Sequence, residues 1–336
     1  MALLTRRVQV ACKLETSPGT AETLTASEAT ILAYEPVWNF NPAQFKRDPY
    51  RKTLSRMNSV AGQRLCEMTL RAELMGPPIA SRGTTTALSV LLKAGGFTEA
   101  LSVGVSNILT PVSTGFEPIT VAVYEDGLVK QLCGAMGNAR IICKIGEPIF
   151  VEFTFVGKYS THSDTAMLSP TYPASKPLIF QNATVTIFSD TLLMQNLEIN
   201  MQNEVTLRDD PGDDTGYAYA QIVSRNPVLT FDPEQELVAT HDFLSKLMSA
   251  TEAAISLSVT ATDRTALTIA LPKAKYVGLS KADRDGILTY SATCELNMSS
   301  GDDEVTITFA GTTTSTTTTS TTTSSTTSTS TTTTTA

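Results

Sequence analysis

The amino-acid sequence predicts a mainly β protein with a few short helices. Apolar and polar residues alternate along most of the chain, as they do in strands that bury one face. Helical spacing is confined to two short segments. Of the 336 residues, 41% are apolar, which is enough to fill a core. These three observations predict the fold class.

Three long segments show the clearest strand pattern. Apolar residues recur at every second position over most of Leu65–Leu74, Leu193–Leu207 and Leu288–Met298. Such alternation predicts that one face of each strand lies on the core. Seven shorter strands are predicted at Thr120–Tyr124, Ala139–Ile145, Pro148–Val156, Thr184–Phe188, Ala254–Val259, Ala266–Leu271 and Val305–Phe309.

Two segments have helical spacing instead. Leu88, Leu91 and Leu92 share one face of Thr85–Ala94, and the threonines before them suit a helix N-terminus. The second segment, Thr240–Ser249, repeats this spacing in four apolar residues: Phe243, Leu244, Leu247 and Met248.

These helices open a candidate internal repeat. Leu88–Leu92 aligns with Leu244–Met248, and each segment follows a long strand. Each half then closes on similar segments, Ala183–Phe188 and Glu304–Phe309. Duplication of one fold would produce this pattern, and so would chance similarity of short segments.

A duplication predicts a first fold over residues 1–190, a second over 191–311 and a separate tail over 312–336. Every residue from Thr312 to Thr335 is Thr or Ser, so the tail lacks the apolar mass of a core. We expect a solvated tail. The alternative is an exposed decoration that carries glycans or touches a host surface.

The charge of the chain argues against tight binding of nucleic acid. It has 25 Lys and Arg against 33 Asp and Glu, a net charge of −8 and a pI near 4.9. Proteins that grip phosphates are basic. The five scattered cysteines predict neither a disulfide framework nor a zinc site. Lys13 and Glu15 interrupt the start where a signal peptide would be apolar, so we expect assembly in the cytoplasm. The apolar stretches fall far short of the ~18 residues of a membrane span, so we expect no membrane insertion.

No motif in the sequence predicts catalysis. His162 and His241 are the only histidines and stand in no metal or nucleophile pattern, and we expect His241 to be a capping or surface residue. The acidic clusters Asp209–Asp214 and Gly301–Glu304 lack EF-hand spacing and predict hairpin tips. Gly134–Asn138 predicts a tight turn between strands. The sequence therefore predicts no enzyme activity, no cofactor and no metal site.

With these elements placed, the sequence resembles the siphophage major tail tube family. The matching segments, in chain order, are Lys13–Thr16 with Gly19–Ala21, Ser55–Gly62 (SRMNSVAG), Cys66–Gly76 (CEMTLRAELMG), Cys133–Tyr159 and Gly301–Phe309 (GDDEVTITF). Each is a loose pattern, so the resemblance rests on their order over residues 13–310. The Thr/Ser tail has no counterpart in the family pattern.

The resemblance implies a β-sandwich or barrel-like subunit flanked by a helix. In such tubes six folds surround a lumen wide enough for duplex DNA. A chain with two tandem folds would close this ring as a trimer with pseudo-six-fold symmetry, and a hexamer is the alternative. The implied partners are further copies in stacked rings, the tape measure protein and the tail end proteins, with transient passage of double-stranded DNA through the virion tail.

The polar faces of the long strands supply candidates for the lumen. They carry amides, hydroxyls and carboxylates, with Arg71 as the only cation on those three strands, and such a surface would not hold phosphate. An ordinary solvent-facing surface is the alternative. The lumen candidates are Glu67, Glu73, Glu198, Asn200, Gln202, Glu204, Thr293 and Glu295.

Residues 38–62 are predicted to form a loop that contacts the ring above or below. This segment is rich in charge and has few apolar residues to anchor it on its own subunit. The candidate contact residues are Phe45, Lys46, Arg47, Tyr50, Arg51 and Arg56.

Several other functions compete with a major tail tube. The nearer competitors are another ring of the same particle, such as a distal tail or terminator protein, and the tube of a contractile injection machine. A surface adhesin could carry its β-rich body on a Thr/Ser stalk, but it should have an export signal. A β-rich hydrolase should show clustered acid, base and nucleophile groups, and the sequence shows no such cluster.

Overall fold

The computed structural model describes residues 3–78, 81–260 and 265–311. Strands make up 55% of the structure and helices 6%, which confirms the mainly β class with a sandwich or barrel-like sheet. The Thr/Ser tail lies outside the described residues. The strands are β1 (Val8–Leu14), β2 (Ala33–Phe45), β3 (Val60–Glu73), β4 (Phe97–Ser102), β5 (Ser106–Pro111), β6 (Ile119–Glu125), β7 (Leu128–Lys144), β8 (Phe150–Asp164), β9 (Thr184–Ile187), β10 (Met194–Asn200), β11 (Asn203–Asp209), β12 (Tyr217–Arg225), β13 (Val228–Pro233), β14 (Glu252–Thr260), β15 (Thr265–Arg284), β16 (Ile287–Asn297) and β17 (Thr306–Gly311).

Two short α-helices flank the strands in the described part of the chain. Helix α1 (Ala87–Ala94) begins after Thr86, whose side-chain oxygen accepts a backbone N–H of the first turn. Helix α2 (Phe243–Met248) begins after Asp242, which caps it in the same way. A single turn of 3-10 helix covers Ala26–Ala29.

The two α-helices differ in how much of their apolar face they bury. Leu88, Leu91 and Leu92 of α1 are buried, as the spacing predicted. In α2, Phe243 is buried but Met248 is 80% exposed, so the prediction of a full apolar face is wrong there. A helix of six residues has little more than one turn to present to a core.

Fifteen strands form one sheet, and β11 and β12 form a separate hairpin. Eight neighbours follow the order β2-β3-β8-β7-β10-β13-β16-β15, and each pair is antiparallel. Strands β6 and β1 extend this sheet from β7, and β14 and β9 extend it from β15. Strands β17, β5 and β4 continue from β15 on its other edge.

The same order of strand pairings occurs twice along the chain. In the first round, β1 pairs with β6, β6 with β7, β7 with β8, β8 with β3 and β3 with β2. In the second round, β9 pairs with β14, β14 with β15, β15 with β16, β16 with β13 and β13 with β10. Each α-helix stands at the same place, after β3 or after β13. We infer a duplicated fold, with its two copies joined where β10 pairs with β7.

The structure corrects the sequence match within this repeat. Strand β9 is the counterpart of β1, because each pairs with the strand that follows the helix in its round. The second round therefore begins near Thr184, and Ala183–Phe188 does not correspond to Glu304–Phe309. Strands β16 and β17 pair with successive parts of the same edge of β15, whereas the single long strand β8 covers the whole equivalent edge of β7. Strand β17 therefore corresponds to the C-terminal half of β8. Gly301–Glu304 joins β16 to β17 and is not a hairpin tip.

Two predicted elements differ in the structure. The segment Leu193–Leu207 is two strands, because Gln202 has a φ of +47° and the chain leaves the sheet between β10 and β11. Gly134–Asn138 lies inside β7, where the register with β8 shifts, and is not a turn. Gly134 has a φ of +59°, and a Cβ there would lie 2.7 Å from the Cβ of Tyr219. Glycine fits this bulge because it alone meets both restrictions.

One core cluster lies beneath both rounds of the repeat. Its largest fully buried side chains include Phe153 and Phe155 of β8, whose rings stack with centroids 5.4 Å apart. Full burial of a side chain of this size contributes about 1.5–3 kcal/mol. The predicted inward face of β3 is confirmed, since Cys66, Met68, Leu70, Ala72 and Leu74 are all buried.

Candidate assembly surfaces

A polar face extends across all eight neighbouring strands of the sheet. Residues that share a cross-strand row lie side by side on one face of a sheet. One such row crosses seven strands, from β3 to β15, and consists of Arg71, Glu152, Arg140, Asn200, Val228, Glu295 and Lys275. Carboxylates and cations therefore lie next to each other at both ends of this row, and the uncharged Asn200 and Val228 separate the two charged groups.

Arg140 ties three strands of the polar face together. Its Nε and Nη2 each donate to the Glu198 carboxylate over 2.6 Å, and its Nη1 donates to Glu152 Oε2 over 3.0 Å. The hydrogen bonds to Glu198 raise the pKa of Arg140 further above its usual value. Glu198 lies on β10 and Glu152 on β8, so this cluster spans the junction between the two rounds.

Most of the predicted lumen residues lie on this polar face. Glu67 and Glu73 lie on β3, Glu198 and Asn200 on β10, and Thr293 and Glu295 on β16, and these three strands belong to the same continuous sheet. Gln202 lies in the break after β10, and Glu204 lies on the separate hairpin β11–β12, so neither belongs to the face. The prediction that they continue the strand of Glu198 is wrong, because the backbone turns at Gln202.

Arg71 is not the only cation on the polar face. Arg140 on β7 and Lys275 on β15 share its row. Their strands were not among the three long ones that the sequence pattern singled out, so the pattern missed them. All three cations are paired: Arg71 Nε lies 3.3 Å from Glu152, and Lys275 Nζ lies 3.0 Å from Glu295. A paired cation has little capacity left for phosphate.

The eight-stranded part of the sheet ends in two open edges. Strand β2 pairs only with β3, and residues 276–284 of β15 pair only with β16, among the described residues. Both edges expose apolar side chains: Val37 is 48% exposed and Phe40 44% on β2, and Val277 is 41% exposed on β15. Open edges of this kind pair readily with another chain.

The hairpin β11–β12 folds back over the first round. Its tip is acidic, and Lys158 Nζ of β8 lies 2.6 Å from Asp213 while Gln63 Nε2 donates to Asp209 over 2.8 Å. The tip was correctly predicted as a hairpin turn. Burial raises and the Lys158 hydrogen bond lowers the pKa of Asp213, with a net fall to about 2.

Residues 38–62 form the end of one hairpin. The prediction of a loop over the whole of 38–62 is wrong at both ends, because β2 continues to Phe45 and β3 begins at Val60; the part without regular structure is 46–59. Five cations and one anion stand in that part, and Tyr50 and Leu54 are fully exposed. The predicted contact residues Lys46, Arg47, Arg51 and Arg56 are likewise exposed.

The sequence wrongly placed His241 at the surface. His241 is 1% exposed, and its Nδ1 lies 2.7 Å from Asp190 Oδ2 while its Nε2 lies 3.2 Å from Tyr276 Oη. A carboxylate only accepts, so Nδ1 donates to Asp190, and in the neutral imidazole Nε2 accepts the Tyr276 hydroxyl proton. Burial lowers the pKa of His241, although Asp190 opposes this. The cluster lies beneath α2 and helps to fix it, and no pattern in the sequence pointed to it.

Metal-binding clusters, cysteines and membrane-spanning helices were each sought in the described part of the chain. In the ranges that the structure describes, no three His, Cys, Asp or Glu side chains gather in a way that could hold a metal ion. All five cysteines are buried, and burial raises the pKa of the Cys66 thiol to about 12. None of the helices in those ranges has the length and apolar character that a bilayer crossing would need.

Comparison with protein-family models gives no match to this chain, and neither does comparison with curated proteins.

Proposed function

We propose that this chain is a structural subunit of a bacteriophage tail tube, which stacks in rings to form the conduit for genome delivery. The observation that carries the proposal is the repeated pairing order. The chain pairs one strand of the second round with one strand of the first, and it leaves the corresponding strand of each round at an open edge. Within the chain, β10 of the second round pairs with β7 of the first. The open counterparts are β2, which corresponds to β10, and β15, which corresponds to β7.

The repeat supports a head-to-tail ring. If the step from the first round to the second is repeated, β2 of the next copy pairs with β15 of this one. Such heterologous contacts close into rings when the rotation allows it. Three chains with two rounds each would make a ring of six folds, the number implied by the resemblance to the tail tube family.

The register of the contact between copies follows from the junction inside the chain. The pairing of β7 with β8 shifts register next to Met136, and that of β15 with β16 shifts next to Gly278. If Met136 is aligned with Gly278, Arg140 of β7 corresponds to Ala282 of β15. These two positions therefore mark the same height on β7 and β15.

The same alignment fixes the residue that β2 contributes. Val156 of β8 pairs with Met136, and Thr293 of β16 pairs with Gly278, so Val156 and Thr293 correspond. On their other side Val156 pairs with Glu67 and Thr293 with Thr230, so Glu67 of β3 corresponds to Thr230 of β13. Two residues further along, Asn41 of β2 then corresponds to Asn200 of β10. Asn200 pairs with Arg140 inside the chain, so Asn41 of the next copy should pair with Ala282 of this one.

The charge on the polar face suits a DNA conduit. Five carboxylates (Glu67, Glu73, Glu152, Glu198 and Glu295) lie on this face. Its cations are ion-paired: Arg71, Arg140 and Lys275 with members of this set, and Lys144, Lys273 and Arg284 with Glu147, Glu252 and Asp232. Such a wall repels phosphate weakly and offers it no free cation. The proposed partners are other copies of the chain, the tape measure protein and the tail end proteins in the virion tail, with DNA as a transient passenger.

Electron microscopy of the purified protein tests the proposal. We expect long hollow tubes built of rings that contain three chains. Single closed rings would instead favour a distal tail or terminator protein, and a protein that stays monomeric at high concentration would refute both.

Paired lysine variants test the edge itself. Val37→Lys with Phe40→Lys places charge on the open edge strand β2, where it should prevent pairing and leave monomers. The matched control, Leu101→Lys with Val103→Lys, alters residues that are 44% and 86% exposed at another edge strand, β4, and the turn after it. The control should still assemble, and equal loss of assembly in both variants would contradict the proposed ring contact.

A further inference from the structure

We propose that the exposed side of helix α2 packs against the aromatic pocket of the neighbouring copy in the same ring. The aromatic rings that line this pocket are Trp38 and Phe40 of β2 and Tyr159 of β8. The proposal rests on the proposed ring, in which β2 of the next copy pairs with β15 of this one. It adds a helix contact to that pair of strands.

The two helices occupy the same place in the repeat and are capped in the same way. The Thr86 side chain accepts the backbone N–H three residues further on, and the Asp242 side chain does the same. Aligning these two caps matches Leu88–Leu92 of α1 with Leu244–Met248 of α2. The structure therefore places the two helices in the register that the sequence match gave them.

The matched side chains differ in burial. Leu88 and Leu92 are buried, whereas Leu244 is 54% exposed and Met248 is 80% exposed. Strand β4 packs on α1. It has no counterpart in the second round, because residues 249–251 alone link α2 to β14. Exposed apolar side chains that are grouped on one element are typical of contact surfaces.

Helix α2 lies on the core-facing side of the open edge of β15. The Phe243 ring lies 5.9 Å from that of Tyr276 and 5.2 Å from that of Tyr290, measured between centroids. Tyr276 begins the open segment 276–284, and Tyr290 pairs with Lys281 inside it. A strand that pairs with this edge therefore places its own core-facing side chains next to α2.

Those side chains on β2 are aromatic. Trp38 and Phe40 pair with Met68 and Cys66, whose side chains are buried, and cross-strand partners share a face. Phe40 is nevertheless 44% exposed, and its ring lies 5.2 Å from that of Tyr159. The core-facing side of β2 thus continues past the core into an open aromatic surface.

The basic residues of the pocket are largely paired within the chain. Arg64 Nη1 lies 3.4 Å from Asp214 and Lys130 Nζ lies 2.6 Å from Glu125. His162 completes the lining. The aromatic rings therefore supply the surface that suits an apolar helix side.

The junction inside the chain shows how the equivalent strand is covered. In the register derived above, Leu197 and Ile199 of β10 are the counterparts of Trp38 and Phe40. Each is 1% exposed, and both belong to the same apolar cluster as the leucines of α1. The counterpart of the open aromatic surface is thus buried where the two rounds meet.

The end of α1 stands at that internal junction. Gly95 directly follows α1, and its backbone oxygen accepts Asn203 Nδ2 of the second round over 2.7 Å. A Cβ on Gly95 would lie 3.3 Å from the Cβ of Ala139, whose backbone oxygen accepts the N–H of Met201. Because α2 corresponds to α1 and β2 to β10, α2 should meet β2 of the next copy in the same way. Burial of the facing apolar surfaces favours this contact.

Disulfide trapping in assembled protein tests the proposal. Met248→Cys is combined with Phe40→Cys, and the assemblies are oxidised and run on a denaturing gel without reductant. The five native cysteines are buried. The matched control combines Met248→Cys with Val37→Cys. Val37 is 48% exposed on the same strand, but it pairs with Thr69 and so lies on the opposite face.

We expect covalent oligomers that stop at the number of chains in one ring, and no cross-linking in the control. Equal cross-linking of both pairs would overturn the proposal, because it would show no preference for the core-facing side. Assembled rings without cross-links between positions 248 and 40 would overturn it as well. If the parent protein forms no rings, the proposed function fails and this contact fails with it.

Trp38 gives a second measurement that leaves β2 unchanged, because it is the only tryptophan in the chain. Leu244→Ser with Met248→Ser should raise the protein concentration required for rings about tenfold. Acrylamide should also quench Trp38 fluorescence more strongly in the variant rings than in parent rings. The matched control, Leu101→Ser with Val103→Ser, should behave as the parent in both measurements. Equal quenching in variant and parent rings would show that α2 does not cover the pocket.

Discussion

Replacing Arg140 with Gln should destabilise the folded chain by about 1–2 kcal/mol. Arg140 makes two hydrogen bonds of 2.6 Å to Glu198 and one of 3.0 Å to Glu152. The three side chains are 41%, 29% and 33% exposed, so solvent screens the pairs only in part. Fully exposed pairs contribute about 0.2–1 kcal/mol, and bidentate geometry with partial burial raises this value.

Urea unfolding followed by circular dichroism measures this loss. The protein must be kept at a concentration at which it is monomeric, because assembly would add to its apparent stability. Lys144→Gln is the matched control, because it removes a cation from the same strand, β7. Among the described residues Lys144 forms an ion pair with Glu147 alone, and these two side chains are 47% and 49% exposed. We expect the control to lose less than about 0.5 kcal/mol.

Two results would refute this reasoning. Equal destabilisation by Arg140→Gln and Lys144→Gln would show that geometry and burial do not distinguish the pairs. A double-mutant cycle of Arg140→Gln with Glu198→Gln should give a coupling of about 1 kcal/mol that shrinks in high salt. Additive losses in that cycle would show that the two side chains do not interact.

Two further predictions concern pH and the lumen. Burial lowers the pKa of His241 in the folded chain, so the unfolded chain takes up its proton first and stability should fall as pH drops through about 6.5. Thermal unfolding from pH 7.5 to 5 should show a flatter profile for His241→Gln, and parallel profiles would contradict the buried neutral imidazole. Glu67→Lys with Thr293→Lys should leave tubes intact but slow DNA ejection at low salt. The control Thr206→Lys, on the separate hairpin, should not slow ejection. Equal ejection rates in the three proteins would exclude this face from the path of the DNA.

Local patterns in the sequence predicted the strands and their buried faces well. Alternation works wherever a strand buries one face, and the inward residues of β3 are all buried as predicted. The pattern failed where the backbone breaks regularity. At Gln202 a positive φ splits one predicted strand in two, and at Gly134 an apparent turn is a bulge within β7. Neither event changes the period of apolar residues enough to be read from the sequence.

The assembly surfaces were predicted only in part. Glu67, Glu198 and Glu295 were selected from three separate strands, and pairing places them on one face. Their partners Arg140 and Lys275 were missed, because a cation on another strand becomes a neighbour only through the sheet register.

The sequence by itself determined the mainly β class and the acidic balance, and it predicted that residues 46–59 would have few apolar anchors on their own subunit. These properties depend on composition and on neighbours within about ten residues. Only the tertiary structure decided that β9 corresponds to β1, that β10 pairs with β7, and that His241 is buried against Tyr276. The physical reason is that strand pairing and burial join residues far apart in the chain. Local periodicity carries no information about which distant strand hydrogen-bonds to the edge of a given strand.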